Sequence, residues 1–213
     1  MLATPLSGAS ALIEQLAFNP DATLLAGGDD DTDVYLWDVH DPAHPRPLPP
    51  VAGSASMVLS VAFSPDGRIL AAASADDDVR LWDVADPAHP LALAKLTGFA
   101  NYANTVTFSP DGYTLVAGSA DHTVRLWDVH DPSKPIPLGQ PLAGPNDYVY
   151  SISISPDGHT LAAGSTDDSV WVWDIRNRSR PRLLATLRAA TGPFFVVAIS
   201  PDGRTLAAGG GDQ

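Results

Sequence analysis

The densest run of chemistry-bearing side chains is Asp29-Asp30-Asp31-Thr32-Asp33, with acids at alternate positions as at the start of a calcium loop. An EF-hand loop then needs glycine at its sixth position for a sharp turn and glutamate at its twelfth as bidentate ligand. Those positions hold Val34 and His40, so the run reads as an elongated acidic turn. The six histidines, His40, His44, His89, His122, His130 and His159, include no His-Glu-x-x-His or similar ligand spacing. No Gly-x-Ser-x-Gly elbow presents a nucleophile, and no Gly-x-x-x-x-Gly-Lys loop cradles a phosphate. The absence of cysteine removes thiolate zinc sites, disulfides and a cysteine nucleophile together. Arg176, Arg178, Arg180 and Arg182 alternate along one stretch with Arg188 nearby, which spreads the charge as in a solvated loop. The sequence therefore carries no catalytic machinery, and no metal or cofactor is expected.

The charge balance points the same way. Formal net charge is −13, and of 25 acidic residues only Glu14 is glutamate. Aspartate competes with its own backbone and favours caps and turns, so this composition argues against a helical domain. A chain this acidic cannot release phosphate counterions, which excludes nucleic acid as an expected partner. The N-terminal MLATPLSGAS lacks a basic n-region and a sustained apolar stretch, and no segment is long enough for a membrane helix. A cytoplasmic location, with no membrane partner, is the expectation.

The elements that position these residues come from a repeat. Ser64-Pro65-Asp66-Gly67 returns at Ser109-Pro110-Asp111-Gly112, Ser155-Pro156-Asp157-Gly158 and Ser200-Pro201-Asp202-Gly203, with Asn19-Pro20-Asp21-Ala22 as a weaker first copy. The prolines lie 45, 45, 46 and 45 residues apart. Trp37-Asp38, Trp82-Asp83, Trp127-Asp128 and Trp173-Asp174 keep the same beat, each tryptophan 17 residues after its proline. Within one unit, residues 58–63 form an apolar run rich in β-branched residues. Pro-Asp-Gly is a turn, with proline presetting φ and glycine accepting a positive one. Residues 69–74 are a second strand, Asp76-Asp77-Asp78 a second turn, and 79–84 a third strand of period two. Residues 91–97 follow as an outer strand. Short strands separated by turns indicate antiparallel hairpins, not βαβ units.

A period near 45 residues with Trp-Asp closing the third strand resembles the WD40-repeat β-propeller family. The resemblance covers nearly the whole chain and implies an all-β fold of four-stranded antiparallel blades. The Asp-Pro-x-x-Pro stretches at 41–45, 86–90 and 131–135 are similar to linkers of bacterial members. Aligned on the prolines, the units give blades at approximately 11–52, 57–97, 103–143 and 148–188, a partial blade at 194–213, and residues 1–8 as the remnant of a preceding outer strand. The expected assembly is an incomplete, open ring cut from a longer array.

The resemblance also implies roles. In the family a buried network links a histidine, a serine or threonine, the turn aspartate and the tryptophan. The aspartate recurs as Asp31, Asp76, Asp121, Asp167 and Asp212, and the tryptophan as Trp37, Trp82, Trp127 and Trp173. The serine position holds Asp29, Ser74, Ser119, Ser165 and Gly210. The histidine is missing everywhere, its places taken by Ala9, Ser54, Phe99, Pro145 and Ala190, so the full network is expected in no blade. These are scaffold residues. The loops leading into the inner strands are expected on the same face as the aspartate turns, and there Met57, Tyr102 and Tyr148 are candidates for partner contact. Asp30, Asp77, Asp78 and Asp168 would ring that face and favour a basic protein or peptide. The implied function is a non-catalytic interaction scaffold. The alternative is a regulatory or sensing propeller detached from a bacterial kinase, NTPase or helix-turn-helix protein.

Overall fold

The computed structural model describes residues 6–188 and 192–211, and the described residues form 18 β-strands. The first sheet contains β1 (Ile13–Phe18), β2 (Leu24–Asp29), β3 (Val34–Asp38) and β4 (Arg46–Pro47) in that order. The second contains β5 (Val58–Phe63), β6 (Ile69–Ser74), β7 (Val79–Asp83) and β8 (Leu91–Leu96). The third contains β9 (Ala103–Phe108), β10 (Thr114–Ser119), β11 (Val124–Asp128) and β12 (Ile136–Pro137), and the fourth β13 (Val149–Ile154), β14 (Thr160–Ser165), β15 (Ser169–Asp174) and β16 (Arg182–Arg188). β17 (Phe194–Ile199) and β18 (Leu206–Gly210) form a two-stranded fifth sheet. The fold is all-β, every pairing is antiparallel, and each sheet is a blade whose first strand packs against the first strand of the next. Among the described residues the fifth blade is not packed against the first as each blade is against the next, so the ring is open.

The Pro-Asp turns explain why the strands begin where they do. Ser64 Oγ donates to Asp66 Oδ1 and accepts the Ile69 amide, while the Gly67 amide closes the turn onto the Ser64 carbonyl. The same arrangement recurs at Ser109, Ser155 and Ser200. In the first blade Asn19 Oδ1 substitutes for the serine hydroxyl by accepting the Thr23 and Leu24 amides. Ala22 there adopts the left-handed φ of +57° that glycine supplies in the other four turns.

Outer strands alternate in length. β4 and β12 have two residues each, whereas β8 and β16 have six and seven. The short ones break after Leu48 and Leu138, whose amides still reach the third strand, where Pro49-Pro50 and Gly139-Gln140-Pro141 interrupt the ladder until single bridges at Val51 and Leu142.

Every hydrophobic cluster straddles two blades. Leu24, Ala26, Val34 and Leu36 of the first pack on Val58, Val61, Leu70 and Trp82 of the second. Ala71, Val79 and Leu81 meet Val106, Leu115 and Trp127, and Val116 and Leu126 meet Leu161, Trp171 and Trp173. Ala162 and Val170 meet Phe194 and Val197. Side chains on one inner strand also accept amides of the next: Val61 N–H to Gln15 Oε1 at 2.7 Å, Val106 N–H to Ser60 Oγ at 3.1 Å, Val197 N–H to Ser151 Oγ at 3.0 Å. Close approach needs small residues on the second strand. A Cβ on Gly28 would lie 2.6 Å from the Val58 carbonyl oxygen of the following blade. Gly28→Ala is therefore expected to force blades 1 and 2 apart and cost roughly 1–3 kcal/mol, read as a lower denaturation midpoint. An unchanged midpoint would contradict this account of blade spacing.

Candidate functional site

The second turn of each blade, between its second and third strands, is built around the recurring aspartate. Asp76 accepts the Ala55 amide at 2.6 Å and a two-pronged contact from Arg80, Nη1 to Oδ1 at 2.9 Å and Nη2 to Oδ2 at 2.6 Å. Asp121 accepts the Ala100 amide at 3.1 Å and Arg125 Nη2 at 2.8 Å. Asp167 accepts the Asn146 amide at 2.8 Å. Ser74, Ser119 and Ser165 complete the turn, each hydroxyl accepting the aspartate amide and donating to the carbonyl of the loop before the inner strand. In blade 1 the buried Asp29 takes the serine's place and accepts the Asp31 and Ala11 amides. The absent histidine is thus replaced by a backbone amide of the incoming loop, together with an arginine four residues after the aspartate in blades 2 and 3. That arginine is the residue the sequence reading missed. Its signal was the shared Val-Arg-Leu-Trp-Asp at 79–83 and 124–128. Asp212 lies outside the described residues.

Blades 1 and 4 lack the arginine. Tyr35 and Trp171 stand in its place, stacked on Trp37 and Trp173 with ring centroids 6.1 and 6.3 Å apart. Tyr35 Oη donates to Asp31 and Trp171 Nε1 to Asp167, each with a single bond, and Ser10 Oγ also donates to Asp31. In these two blades the other aspartate oxygen, Oδ1 of Asp31 and of Asp167, is buried with no hydrogen-bond partner. The four Trp-Asp tryptophans are buried opposite Leu25, Leu70, Leu115 and Leu161 on the second strands.

The same turns hold the loops leading into the inner strands. The carbonyls of Leu12, Met57, Tyr102, Tyr148 and Pro193 accept amides from Asp30, Ala75, Ala120, Thr166 and Gly211 respectively. Met57, Tyr102 and Tyr148 are exposed there. Asp168 is exposed and Asp77 and Asp30 are half-buried beside them, Asp77 and Asp168 with left-handed φ of +67° and +63°. Asp78 does not join them. It is 8% exposed, bonded to Lys95 Nζ at 2.6 Å and facing Arg80 at 3.9 Å, so its charge is neutralised inside blade 2. The inner strands add residues that sequence periodicity did not single out. Each has a bulge that opposes two of its residues to one on the second strand, at Glu14, Leu59, Asn104, Tyr150 and Phe195. A bulge re-aims a side chain, and here it leaves Tyr150 and Phe195 exposed.

The opposite face carries the Pro-Asp turns and linkers. A cleft of about 700 Å³ between blades 1 and 2 is bordered there by Asp21, His40, Asp66, Arg68 and Asp86. Arg178 reaches from the blade-4 linker to Asp111 at 2.6 Å, and Arg176 bonds Asp174 at 3.0 Å, so two of the alternating arginines fasten turns. Among the described residues no group of three or more acidic or histidine side chains could hold a metal ion, and no helix is long and apolar enough to cross a membrane.

Repeated blades, a Trp-Asp on each third strand and an aspartate-centred second turn agree with comparison against known families. The description "WD domain, G-beta repeat" (WD40) matches residues 2–38, 47–83, 92–128, 137–174 and 181–213. The chain belongs to the WD40 family. The matches at 47–83, 92–128 and 137–174 each start at or beside an outer strand and end at the next Trp-Asp, so the WD40 repeat is offset from the blade and these repeats span blade junctions. Comparison with curated proteins gave no match. WD40 domains are generally protein-interaction scaffolds and typically non-catalytic.

Two predictions follow from the WD40 turn. Tyr35→Arg supplies the missing guanidinium to Asp31, and is expected to stabilise the chain by roughly 1–3 kcal/mol, read as a raised melting temperature. No change, or a fall, would mean that the Arg80 geometry does not transfer to blade 1. The second concerns acid. For Asp76 and Asp121 burial is the largest single influence and raises the pKa, but hydrogen bonds from Arg80, Thr123 and loop amides together hold both below the ordinary 3.8. Asp157 and Asp202 are lowered first by the serine hydroxyl of their turns. A depressed carboxyl stabilises the fold above its unfolded pKa, and that contribution is lost as pH falls through the folded value. Glu14 and Asp33 are raised, by burial and then by neighbouring acids, so their protonation relieves strain at slightly higher pH. Melting temperature should hold or rise slightly down to about pH 5 and drop steeply below about pH 4. A steady decline starting near neutrality would contradict it.

Proposed function

We propose that this chain is a rigid interaction module whose second-turn face receives a protein or peptide partner of basic character, in the cytoplasm. The observation that supports the reading most is the exposure of Met57, Tyr102 and Tyr148 at equivalent loop positions whose backbones are bonded into the aspartate turns. Large side chains held on a fixed backbone lose little entropy on binding, and tyrosine and methionine suit interface cores. Among the described residues Asp77 and Asp168 have no ion-pair partner and add a negative field on that face, while Arg80, Arg125 and Lys95 of blades 2 and 3 are committed to Asp76, Asp121 and Asp78. A chain without cysteine needs no oxidising compartment for its fold, which fits a cytoplasmic location. On the opposite face the cleft between blades 1 and 2 is bordered mainly by small and charged side chains such as Asp21, Asp66, Gly67, Arg68 and Asp86.

The test is a peptide array probed with the purified chain, alongside Tyr102→Ala/Asp168→Asn and, on the opposite face, Arg68→Ala. Basic sequences should be retained by the wild type and by Arg68→Ala but lost by the double variant. Retention of acidic sequences, or equal loss in Arg68→Ala, would place the partner elsewhere.

A further inference from the structure

This inference rests on the partner-binding reading of the second-turn face and names the group that is seated there. His122, Tyr148, Tyr150 and Phe195 form a continuous row of exposed rings, with successive centroids 6.0, 6.5 and 5.5 Å apart and the last pair edge to face at 90°. Tyr148, Tyr150 and Phe195 are 40%, 44% and 49% exposed. Rings that touch one another yet remain open to solvent across three blades form an apolar stripe of the kind that marks a binding surface. The row is held by the fold. The Tyr148 carbonyl accepts the Thr166 amide, and Tyr150 and Phe195 occupy the inner-strand bulges.

The charge around the row is negative and unanswered. Asp147 directly precedes Tyr148, and Asp168 sits in the turn that binds the Tyr148 carbonyl. Among the described residues neither has an ion-pair partner. Blade 4 is also a blade in which Trp171 replaces the turn arginine, so no guanidinium accompanies Asp167. Arg188, opposite Ser169 on the outer strand, is the cation beside the Asp168 turn, but among the described residues it forms no ion pair there, and it lies three strands, roughly 14 Å at ordinary strand spacing, from the inner strand that carries Tyr148 and Tyr150. The chain itself shows what fills such a setting one blade earlier. Arg125 lies with Cζ 4.7 Å from the centroid of the Phe99 ring while its Nη2 bonds Asp121.

We propose that the row seats an arginine side chain carried on an extended basic segment of a partner protein, its guanidinium stacked on the Tyr148–Tyr150–Phe195 rings and its charge answered by Asp147 and Asp168. Arginine fits better than lysine because its planar, weakly hydrated head stacks on aromatic faces while keeping hydrogen-bond donors for carboxylates.

Calorimetric titration with three peptides of equal length, bearing arginine, lysine or glutamate in a Gly-Ser background, tests this. The arginine peptide should bind tightest and the glutamate peptide not at all. Tyr150→Ala/Phe195→Ala, which leaves net charge unchanged, should weaken the arginine peptide about tenfold or more, with Tyr148→Ala as an independent second variant and Tyr150→Phe retaining affinity. Circular dichroism and melting confirm that each variant is folded. Undiminished arginine-peptide binding in both alanine variants overturns the row. If that binding is instead lost in Tyr102→Ala/Asp168→Asn, the face reading survives without it. A folded wild-type chain that binds neither basic peptide removes both.

Discussion

No blade of this molecule has a core of its own. Each sheet is one layer thick, and its apolar faces are buried only where the next sheet lies against them, so stability is a sum of nearest-neighbour junctions. Sheet separation is therefore the governing variable. It is set near the axis by what the second strand can tolerate, glycine at 28, 118 and 164 and alanine at 73, and by side-chain acceptors that catch the amides of the following inner strand. Farther out, the larger gap is filled by the Trp-Asp tryptophans of blades 2, 3 and 4 against the preceding blade, as Trp82 does with Leu36 and Trp127 with Leu81.

The second-turn face inherits its rigidity from this arrangement. A loop leading into an inner strand would otherwise be free to move. Here its amide is bound to the turn carboxylate, its carbonyl to the amide beyond the turn serine, and the carboxylate to an arginine on the third strand. The result is a set of exposed side chains whose backbone is fixed to the sheet on two sides. Variation between blades falls on the third member of that set, arginine in blades 2 and 3 and an aromatic in blades 1 and 4. The electrostatics of the face differ accordingly from one blade to the next.

Much of this was legible in the sequence because turn chemistry is local. Ser-Pro-Asp-Gly fixes one hairpin and Trp-Asp closes another, and residues 58–63 and 69–74 form strands with the boundaries expected. The outer strands were less legible. Residues 91–97 were expected to pair throughout and pair through Leu96, while in the first and third blades the ladder breaks after Leu48 and Leu138, at Pro49-Pro50 and Gly139-Gln140-Pro141, and resumes only as single bridges at Val51 and Leu142. Asp78 was misplaced on the open face because its partner Lys95 comes from the outer strand 17 residues later, a proximity visible only in the folded register. Tyr150 and Phe195 escaped notice for a similar reason. Alternation assigns every second residue to one side, and a bulge interrupts that count, so a residue read as one of an alternating series is turned outward. The missing histidine was read as a missing network; in blades 2 and 3 a backbone amide and an arginine bond the turn aspartate in its absence, while in blades 1 and 4 one aspartate oxygen stays without a partner.

The alternation of outer strands gives the rim a repeat distinct from that of the blades. Along the circumference, full-length edges occur at the second and fourth blades and proline-blunted ones at the first and third. An unpaired edge of six or seven residues can template another strand, whereas one of two residues interrupted by proline cannot. Any assembly that grew by adding strands around the rim would thus be spaced in steps of two blades, near 90 residues of chain, even though everything inside the rim repeats every 45.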